Sequence, residues 1–373
     1  MLKMTHLYNS KDIPSLTFAH TSLQFLSYLF HSNSTAMKKR FLSLLAFAVM
    51  ATTAIMVACT DHGEPIPEPT QFTVSDFTSG LRAPIGMVID DQGNFWVTEG
   101  GTGHDDGALV MITPQGDKKT VVTHFKSVLQ MGNVEGISHL YYDNGTLYLL
   151  HGIEGLLYTI NPSALLAGSL PLHKDHLPSE DIKSFVVSKN LTFDNNSNAF
   201  AMTKGPDGHL YIVDAGANAV IRRNKDTHAL DLFTTFPPIA PNRDPVPTGI
   251  VFDGTHFLLS SLTGFPFSPG SAYIYRVNTS GVMIPYKGGF TTLTHIALTV
   301  NDKPLLLHYA DFTMPPGSAG NPPGFKPNTG SVVNEDGAVL ASGLNLPTDI
   351  KRWGDRTFFV LCLGDGSIKK LDY

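Results

Sequence analysis

Short runs of apolar and β-branched residues, each bounded by Gly, Asp, Asn or Pro, recur along residues 71–373. Runs of that length between turn formers predict strands rather than helices. The clearest unit reads Ala83-Pro84-Ile85-Gly86-Met87-Val88-Ile89-Asp90, then Asp91-Gln92-Gly93-Asn94, then Phe95-Trp96-Val97-Thr98-Glu99. Gly and Asn accept the positive φ of a tight antiparallel connection, so this segment predicts a hairpin. Comparable turns open Leu147-Tyr148-Leu149-Leu150, Leu210-Tyr211-Ile212-Val213-Asp214 and Phe257-Leu258-Leu259, and further copies stand at Leu305-Leu306-Leu307-His308 and Phe358-Phe359-Val360-Leu361.

These second strands begin near residues 95, 147, 210, 257, 305 and 358. Third strands are expected at Ala108–Thr113, Leu156–Ile160, Ala219–Arg223, Ala272–Val277, Gly330–Asn334 and Ser367–Leu371. No segment between them carries sustained helical periodicity; Ser163–Ala167 predicts one short turn of helix. A period of about fifty residues marks a repeat architecture. Six antiparallel units predict an all-β fold closed radially, a six-bladed β-propeller. A linear stack would need capping repeats, and none is visible. The sixth unit ends at Tyr373 after three strands, one short of a blade. The segment Phe72–Phe77 is predicted to complete it as an N-terminal strand, which closes the ring and leaves no large open edge.

The pattern changes upstream. Met37-Lys38-Lys39-Arg40 is basic, Phe41 to Ala58 is an apolar run of 18 residues, and Met56-Val57-Ala58-Cys59 ends it. This resembles the lipobox of bacterial lipoproteins, with Met where Leu is usual. The resemblance implies lipidation of Cys59 and cleavage before it; an uncleaved transmembrane helix is the other reading of such a run. The expected organisation is an extension or mis-called start at 1–36, a signal peptide at 37–58, a lipidated Cys and Pro-rich tether at 59–70, and the propeller at 71–373. The protein would then be exported and lipid-anchored in the cell envelope, in the periplasm or outer membrane of a Gram-negative bacterium.

Composition sharpens this picture. Of 373 residues 42% are hydrophobic and 16% charged, with 34 Gly and 25 Pro, the profile of a turn-rich folded chain. There are two cysteines; with Cys59 lipidated, Cys362 has no partner and reads as a small core residue. Removing 1–58 deletes five Lys/Arg and one Asp, leaving 21 against 31 and a formal charge of −10. Such a field repels phosphate backbones, so nucleic acid is not an expected partner.

Propellers hold ligands in or over the central channel, so polar residues at strand ends are the candidates. Glu99, His151, Asp214 and His308 end second strands in four repeats, and Asn218 follows Asp214 in the next turn. Carboxylates and imidazoles from several blades could converge on a divalent ion such as Ca²⁺ or Mg²⁺, with Glu99 and Asp214 as its ligands in an enzyme. The alternative is a satisfied polar ring with no cofactor. His104-Asp105-Asp106-Gly107 has neither calcium-loop nor phosphate-loop spacing, and His173 with His176 supplies too few ligands. There is no Gly-x-Ser-x-Gly elbow, no His-Glu-x-x-His and no redox Cys pair.

The segment Leu262-Thr263-Gly264-Phe265-Pro266-Phe267-Ser268-Pro269-Gly270-Ser271-Ala272-Tyr273-Ile274-Tyr275-Arg276-Val277 closely resembles the ScyD/ScyE family, named for a cyanobacterial pigment gene cluster. Gly205-Pro206-Asp207-Gly208, Asp214-Ala215-Gly216-Ala217-Asn218 and Val97-Thr98-Glu99-Gly100-Gly101 match as well, while Asn198-Ala199-Phe200-Ala201 departs from the family's pattern. Membership implies an exported propeller and brings no catalytic residues. Phe265, Pro266 and Phe267 form either a rim that contacts an apolar ligand or a plug between blades. The leading expectation is a non-catalytic binding or accessory protein for a small molecule or an envelope protein. The alternatives are a metal-dependent hydrolase or lyase of the gluconolactonase or streptogramin-lyase type, and a structural envelope module.

Overall fold

A computed structural model describes residues 65–130, 133–314 and 324–373, together with Lys39 and Ser43. The chain divides into two units, Met1–Pro65 and Ile66–Tyr373. In the first, Lys39 and Ser43 are helical; Cys59, the signal-peptide segment 37–58 as a whole and the extension 1–36 lie outside the described residues. Among the described residues no helix is long and apolar enough to cross a membrane.

The second unit is a six-bladed β-propeller. Its blades are successive antiparallel sheets, numbered here 1 to 6 along the chain. The first, innermost strands are Pro84–Ile89, Ile137–Asp143, Ala199–Lys204, Pro247–Phe252, Leu293–Leu298 and Pro347–Arg352. The second strands are Phe95–Glu99, Thr146–His151, Leu210–Asp214, His256–Ser261, Pro304–His308 and Thr357–Cys362, each within a residue of its expected start. Each innermost strand touches those of both neighbouring blades, and blade 6 touches blade 1, so the ring is closed.

The core explains why the second strands read as unbroken apolar runs. Six buried clusters lie one between each pair of neighbouring blades. A second strand therefore buries both faces, as the uniformly buried Phe95–Glu99 and Leu210–Asp214 show. Cys362 sits in the cluster between blades 5 and 6, where burial pushes its thiol up to about 12. Thr73–Ser79 pairs antiparallel with Ser367–Asp372 and completes blade 6, the expected closure. Ahead of it, Phe72 donates its N–H to Leu340 O and packs edge-on against Phe358 and Tyr373, at 5.6 and 5.5 Å. The chain reaches the propeller earlier than a free tether would. Ile66 O and Glu68 Oε1 accept hydrogen bonds from Asn301 Nδ2, at 2.9 and 2.7 Å.

Two departures are local. Leu172–His173 adds to blade 1 as a fifth strand, parallel to Lys118–Phe125. Among the described residues of this unit two short α-helices occur, at Pro162–Ala167, where a turn is expected, and at Lys183–Val187. No seventh blade is present among the described residues of 164–196 and 311–329.

One irregularity repeats in all six blades and positions the site. Each innermost strand carries one extra residue near its start, opposite the end of the second strand. Such a bulge re-aims side chains and tightens the twist. In four blades the strand is entered through a non-glycine residue at positive φ: Ala83, Val246, Thr292 and Leu346. The bulges also supply the stitches between blades. Thr248 Oγ1 donates to Leu293 O at 2.8 Å, Thr294 Oγ1 to Pro347 O at 2.8 Å, and Thr348 Oγ1 to Pro84 O at 3.4 Å. Thr98 Oγ1 donates to Ser138 O at 2.7 Å, and His139 Nδ1 stands 3.0 Å from Phe200 O. The remaining joint, between blades 3 and 4, is made by Val246 N donating to Asn218 Oδ1 at 3.0 Å.

Candidate functional site

The third residue of each innermost strand follows the bulge and approaches the axis. Around the ring these are Gly86, His139, Ala201, Gly249, His295 and Asp349. Three small residues make room for three large polar ones. A Cβ on Gly86 would lie 2.6 Å from His139 Cα, and one on Gly249 3.0 Å from His295 Cα. His139 and His295 come from opposite blades, 2 and 5, and their rings stack at 4.7 Å, 2° from parallel. They close the middle of the channel.

Asp349 is fully buried beside them. Its Oδ2 accepts from Met87 N at 2.8 Å, and its Oδ1 accepts from Lys351 Nζ at 2.7 Å. Lys351 Nζ also stands 3.0 Å from His295 Nε2, which lies 3.2 Å from Asp349 Oδ1. His139 faces carbonyls at both nitrogens, Phe200 O at 3.0 Å and Thr348 O at 3.3 Å. His295 Nδ1, by contrast, is buried without a partner. Burial holds the His139 imidazole below its ordinary pKa, against the pull of Asp349. Burial, then Lys351, then His139 push His295 well below it. Both shifts favour the neutral rings, and the Lys351 ammonium is the cation in contact with Asp349.

This plug separates two cups. On the face where innermost strands begin, a cavity of about 330 Å³ is lined by the bulge residues Ile85, Phe200, Thr294 and Thr348, with Val134, Tyr309 and Leu363. Among its described lining residues there is no carboxylate, imidazole or amine, and the Tyr309 hydroxyl is raised to about 12 by burial. On the opposite face a cavity of about 520 Å³ has His295 and Lys351 in its lining and aromatic walls from Tyr141, Phe252 and Trp353.

The residues expected from sequence to line the channel are all placed at ends of second strands or the turns after them, and each is engaged locally. Glu99 Oε1 accepts from Arg82 N at 3.0 Å, and burial raises its carboxyl. His151 Nδ1 accepts from Glu154 N at 3.2 Å, its Nε2 lies 3.4 Å from Glu154 Oε2, and burial lowers it to about 4. Asp214 accepts from Ser197 Oγ, Asn198 N and Ala217 N at 2.7, 2.8 and 2.9 Å, binding two loops to its strand. Asn218 makes the stitch to blade 4. His308 Nδ1 is 3.4 Å from Ser331 Oγ and its Nε2 3.8 Å from Asp311, with its pKa lowered by burial. Glu99 and Asp214 share no group of metal-ligating atoms among the described residues; the group that forms is His139, His295 and Asp349.

That group was missed because Ser138-His139, Thr294-His295 and Thr348-Asp349 lie in unrelated-looking segments. Aligning the repeats on Pro-Thr-Gly at 247–249 and Pro-Thr-Asp at 347–349 would have placed all three at one ring position. As a metal centre its fit is poor. The donor atoms lie within 4.8 Å of one another, yet the Lys351 ammonium already stands against Asp349 and His295, where an ion would bind. Two imidazoles and one carboxylate also suit a zinc-like ion better than Ca²⁺ or Mg²⁺, which prefer oxygen ligands.

Phe265, Pro266 and Phe267 follow the second strand of blade 4. Phe267 packs on Phe312 and Phe325 at 4.9 and 5.0 Å, while Phe265 is 59% exposed and 6.0 Å from Phe312. Phe325 in turn packs 4.9 Å from Tyr309, which lines the smaller cup. An aromatic path thus leads from the rim to the cup.

Neither a family model nor a curated protein matches the sequence. Solved structures match the fold. Selenomethionine-substituted virginiamycin B lyase from Staphylococcus aureus superposes with a TM-score of 0.50 at 13% identity, over 81% of this chain and all of that one. A candidate gluconolactonase gives 0.50 at 12% identity, over 82% of this chain and 93% of that one. A structural-genomics protein of unknown function from Bacteroides thetaiotaomicron gives 0.53 at 13% identity, over 82% and 76%. The class so defined is the six-bladed β-propeller. At these identities the likeness is one of fold, and fold alone carries no activity.

Proposed function

We propose that the chain is a non-catalytic binding propeller that holds an uncharged, apolar or aromatic small molecule in the cup where its innermost strands begin. The observation that carries this reading is the continuous aromatic path from exposed Phe265 through Phe312, Phe325 and Tyr309 into a cup whose described lining lacks ionised groups. A mostly apolar concavity with a few hydroxyls and carbonyls is the usual form of a small-molecule site. The ScyD/ScyE resemblance and the lipobox-like segment ending at Cys59 support a lipid-anchored protein of the cell envelope acting as an accessory.

Unit Ile66–Tyr373 contains all six blade sheets and, among the described residues, every core cluster, so the packing that holds the blades together lies within it. Titration of this unit with the neutral fluorophore N-phenylnaphthylamine tests the reading. Saturable binding at one site, weakened about tenfold or more by Phe265→Ala and by Tyr309→Ala, is expected. Binding indifferent to both substitutions removes this reading. A second reading, a metal-dependent hydrolase or lyase, is favoured by the His139, His295 and Asp349 group. Turnover of an aliphatic lactone that requires added metal and is lost in His295→Gln would put that reading first.

A further inference from the structure

We propose that the 520 Å³ cavity, on the face where the innermost strands end, is a second binding site, for a small monocarboxylic acid with an apolar or aromatic body whose carboxylate is held by Lys351. Side chains of a strand return to the same side every second residue. Two positions beyond the ring of Gly86, His139, Ala201, Gly249, His295 and Asp349, the innermost strands therefore present Val88, Tyr141, Thr203, Val251, Ala297 and Lys351, and all six line this cavity. Lys351 carries the one charge in that ring. Burial raises the Tyr141 hydroxyl to about 12, so it stays protonated and, like Thr203, can donate a hydrogen bond.

The floor of this cavity is arranged to meet an acceptor. An ammonium has three N–H groups and no lone pair. Lys351 Nζ donates one to Asp349 Oδ1 at 2.7 Å and a second to His295 Nε2 at 3.0 Å. The third is left for the cavity, which the partly exposed Lys351 side chain lines. Asp349 offers a ligand nothing, because its side chain is 0% exposed and its other oxygen accepts from Met87 N. The ammonium therefore stands between a buried carboxylate and the cavity, with its positive end towards the ligand. The acids at the mouth are engaged locally: Asp90 accepts from Gln92 N, Asn94 N and Trp96 Nε1, each at 2.9 Å, and Asp91 Oδ2 accepts from Tyr142 OH at 3.0 Å. Exposed Arg352 adds a second cation to the lining. The walls are apolar, with Leu140, Met202, Ile250, Phe252 and Trp353 among them, so the rest of the ligand is apolar too. The volume suits a small organic molecule. A charge-assisted bond against such walls separates a carboxylate from its neutral isostere, which the smaller cup, with no ionised group in its described lining, does not.

The experiment titrates the full chain calorimetrically with 1-naphthaleneacetate and with 1-naphthaleneacetamide, which keeps the shape and removes the charge. The proteins are the unsubstituted chain, Lys351→Met, and Asp349→Asn with Lys351→Met. The single change strands the buried Asp349 carboxylate; the double change leaves no buried charge, so it reports on binding even where the single variant loses its fold. The unsubstituted chain is expected to bind one naphthaleneacetate, with the amide at least about tenfold weaker. In the double variant the acid should weaken by at least about tenfold and lose its advantage over the amide, a ratio that a merely structural role for Lys351 would leave in place. Far-UV circular dichroism keeps a loss of fold distinguishable from a loss of binding. Absence of saturable acid binding to the unsubstituted chain would overturn the proposal, as would an amide that binds as tightly as the acid, or an acid-to-amide ratio that survives in the double variant.

Discussion

The imidazoles of His139 and His295 stack face to face at 4.7 Å across the axis of a closed ring, although 156 positions separate them in the chain. Only radial closure brings opposite blades to that distance. The stacked rings lie between two cavities on opposite faces of the ring, and each cavity has its own chemistry.

Acid should loosen this arrangement. His139, His151 and His295 are all held below the ordinary imidazole value of 6.5, His151 at about 4. A folded-state pKa below the unfolded one means that the unfolded chain takes up protons first as pH falls. Stability is therefore full above about pH 6.5 and is lost progressively below it, by at most about 1.4 kcal/mol per pH unit for each histidine. Urea midpoints measured between pH 7.5 and 4.5 should fall on that schedule. The double variant His139→Gln with His295→Gln should flatten the profile; an unchanged slope would contradict the assignment.

Asp349 and Lys351 should be strongly coupled. Removing either partner alone strands a buried charge or an empty set of donors, at about 3–5 kcal/mol for the loss of Asp349. Replacing both, as Asp349→Leu with Lys351→Met, should cost less than the sum of the two single changes. Chemical denaturation of the four proteins in the cycle measures this. Additivity would show that the pair is not the tie it looks to be.

Closure should depend on Phe72, which is 5% exposed and packs on Phe358 and Tyr373. Phe72→Ala should destabilise unit Ile66–Tyr373 by about 3–5 kcal/mol, the cost of truncating a buried aromatic. Hydrogen exchange should quicken first in Ser367–Asp372, the strand that Thr73–Ser79 covers. Protection lost uniformly over all six blades would argue against a local seam.

Two residues at the same mouth should separate stability from binding. Phe265 is 59% exposed, so Phe265→Ala should shift stability by no more than about 0.5 kcal/mol while weakening the fluorophore. Asp214 is 0% exposed and accepts three hydrogen bonds, so Asp214→Ala should cost about 2 kcal/mol or more through the donors it leaves unpaired. The affinity of the surviving folded fraction should then be unchanged. Loss of affinity in Asp214→Ala without loss of stability would return that carboxylate to the binding site.

The fold was legible because it rests on local signals. Turn residues such as Gly93 and Gly208 and the apolar runs they join are adjacent in sequence, so their spacing counts the blades directly. The seam could be inferred as well, since Ser367–Asp372 pairs with Thr357–Cys362 on one side and has an open outer edge unless Thr73–Ser79 covers it. The polar residues were harder to rank. Glu99, His151, Asp214 and His308 were visible as strand-ending polar positions, but a strand end is also where loops need acceptors, and in Asp214 that need takes up the side chain.

What the amino-acid order determined by itself was the repeat, its period and the hairpin chemistry of each unit, all of them properties of residues a few positions apart. What only the tertiary structure decided was which side chains meet at the axis. That depends on one extra residue in each innermost strand, which turns His139, His295 and Asp349 inward, and on Gly86 and Gly249 letting the backbone that carries the two rings come close. A bulge is a mismatch between two strands, so it belongs to the pairing and to neither segment alone.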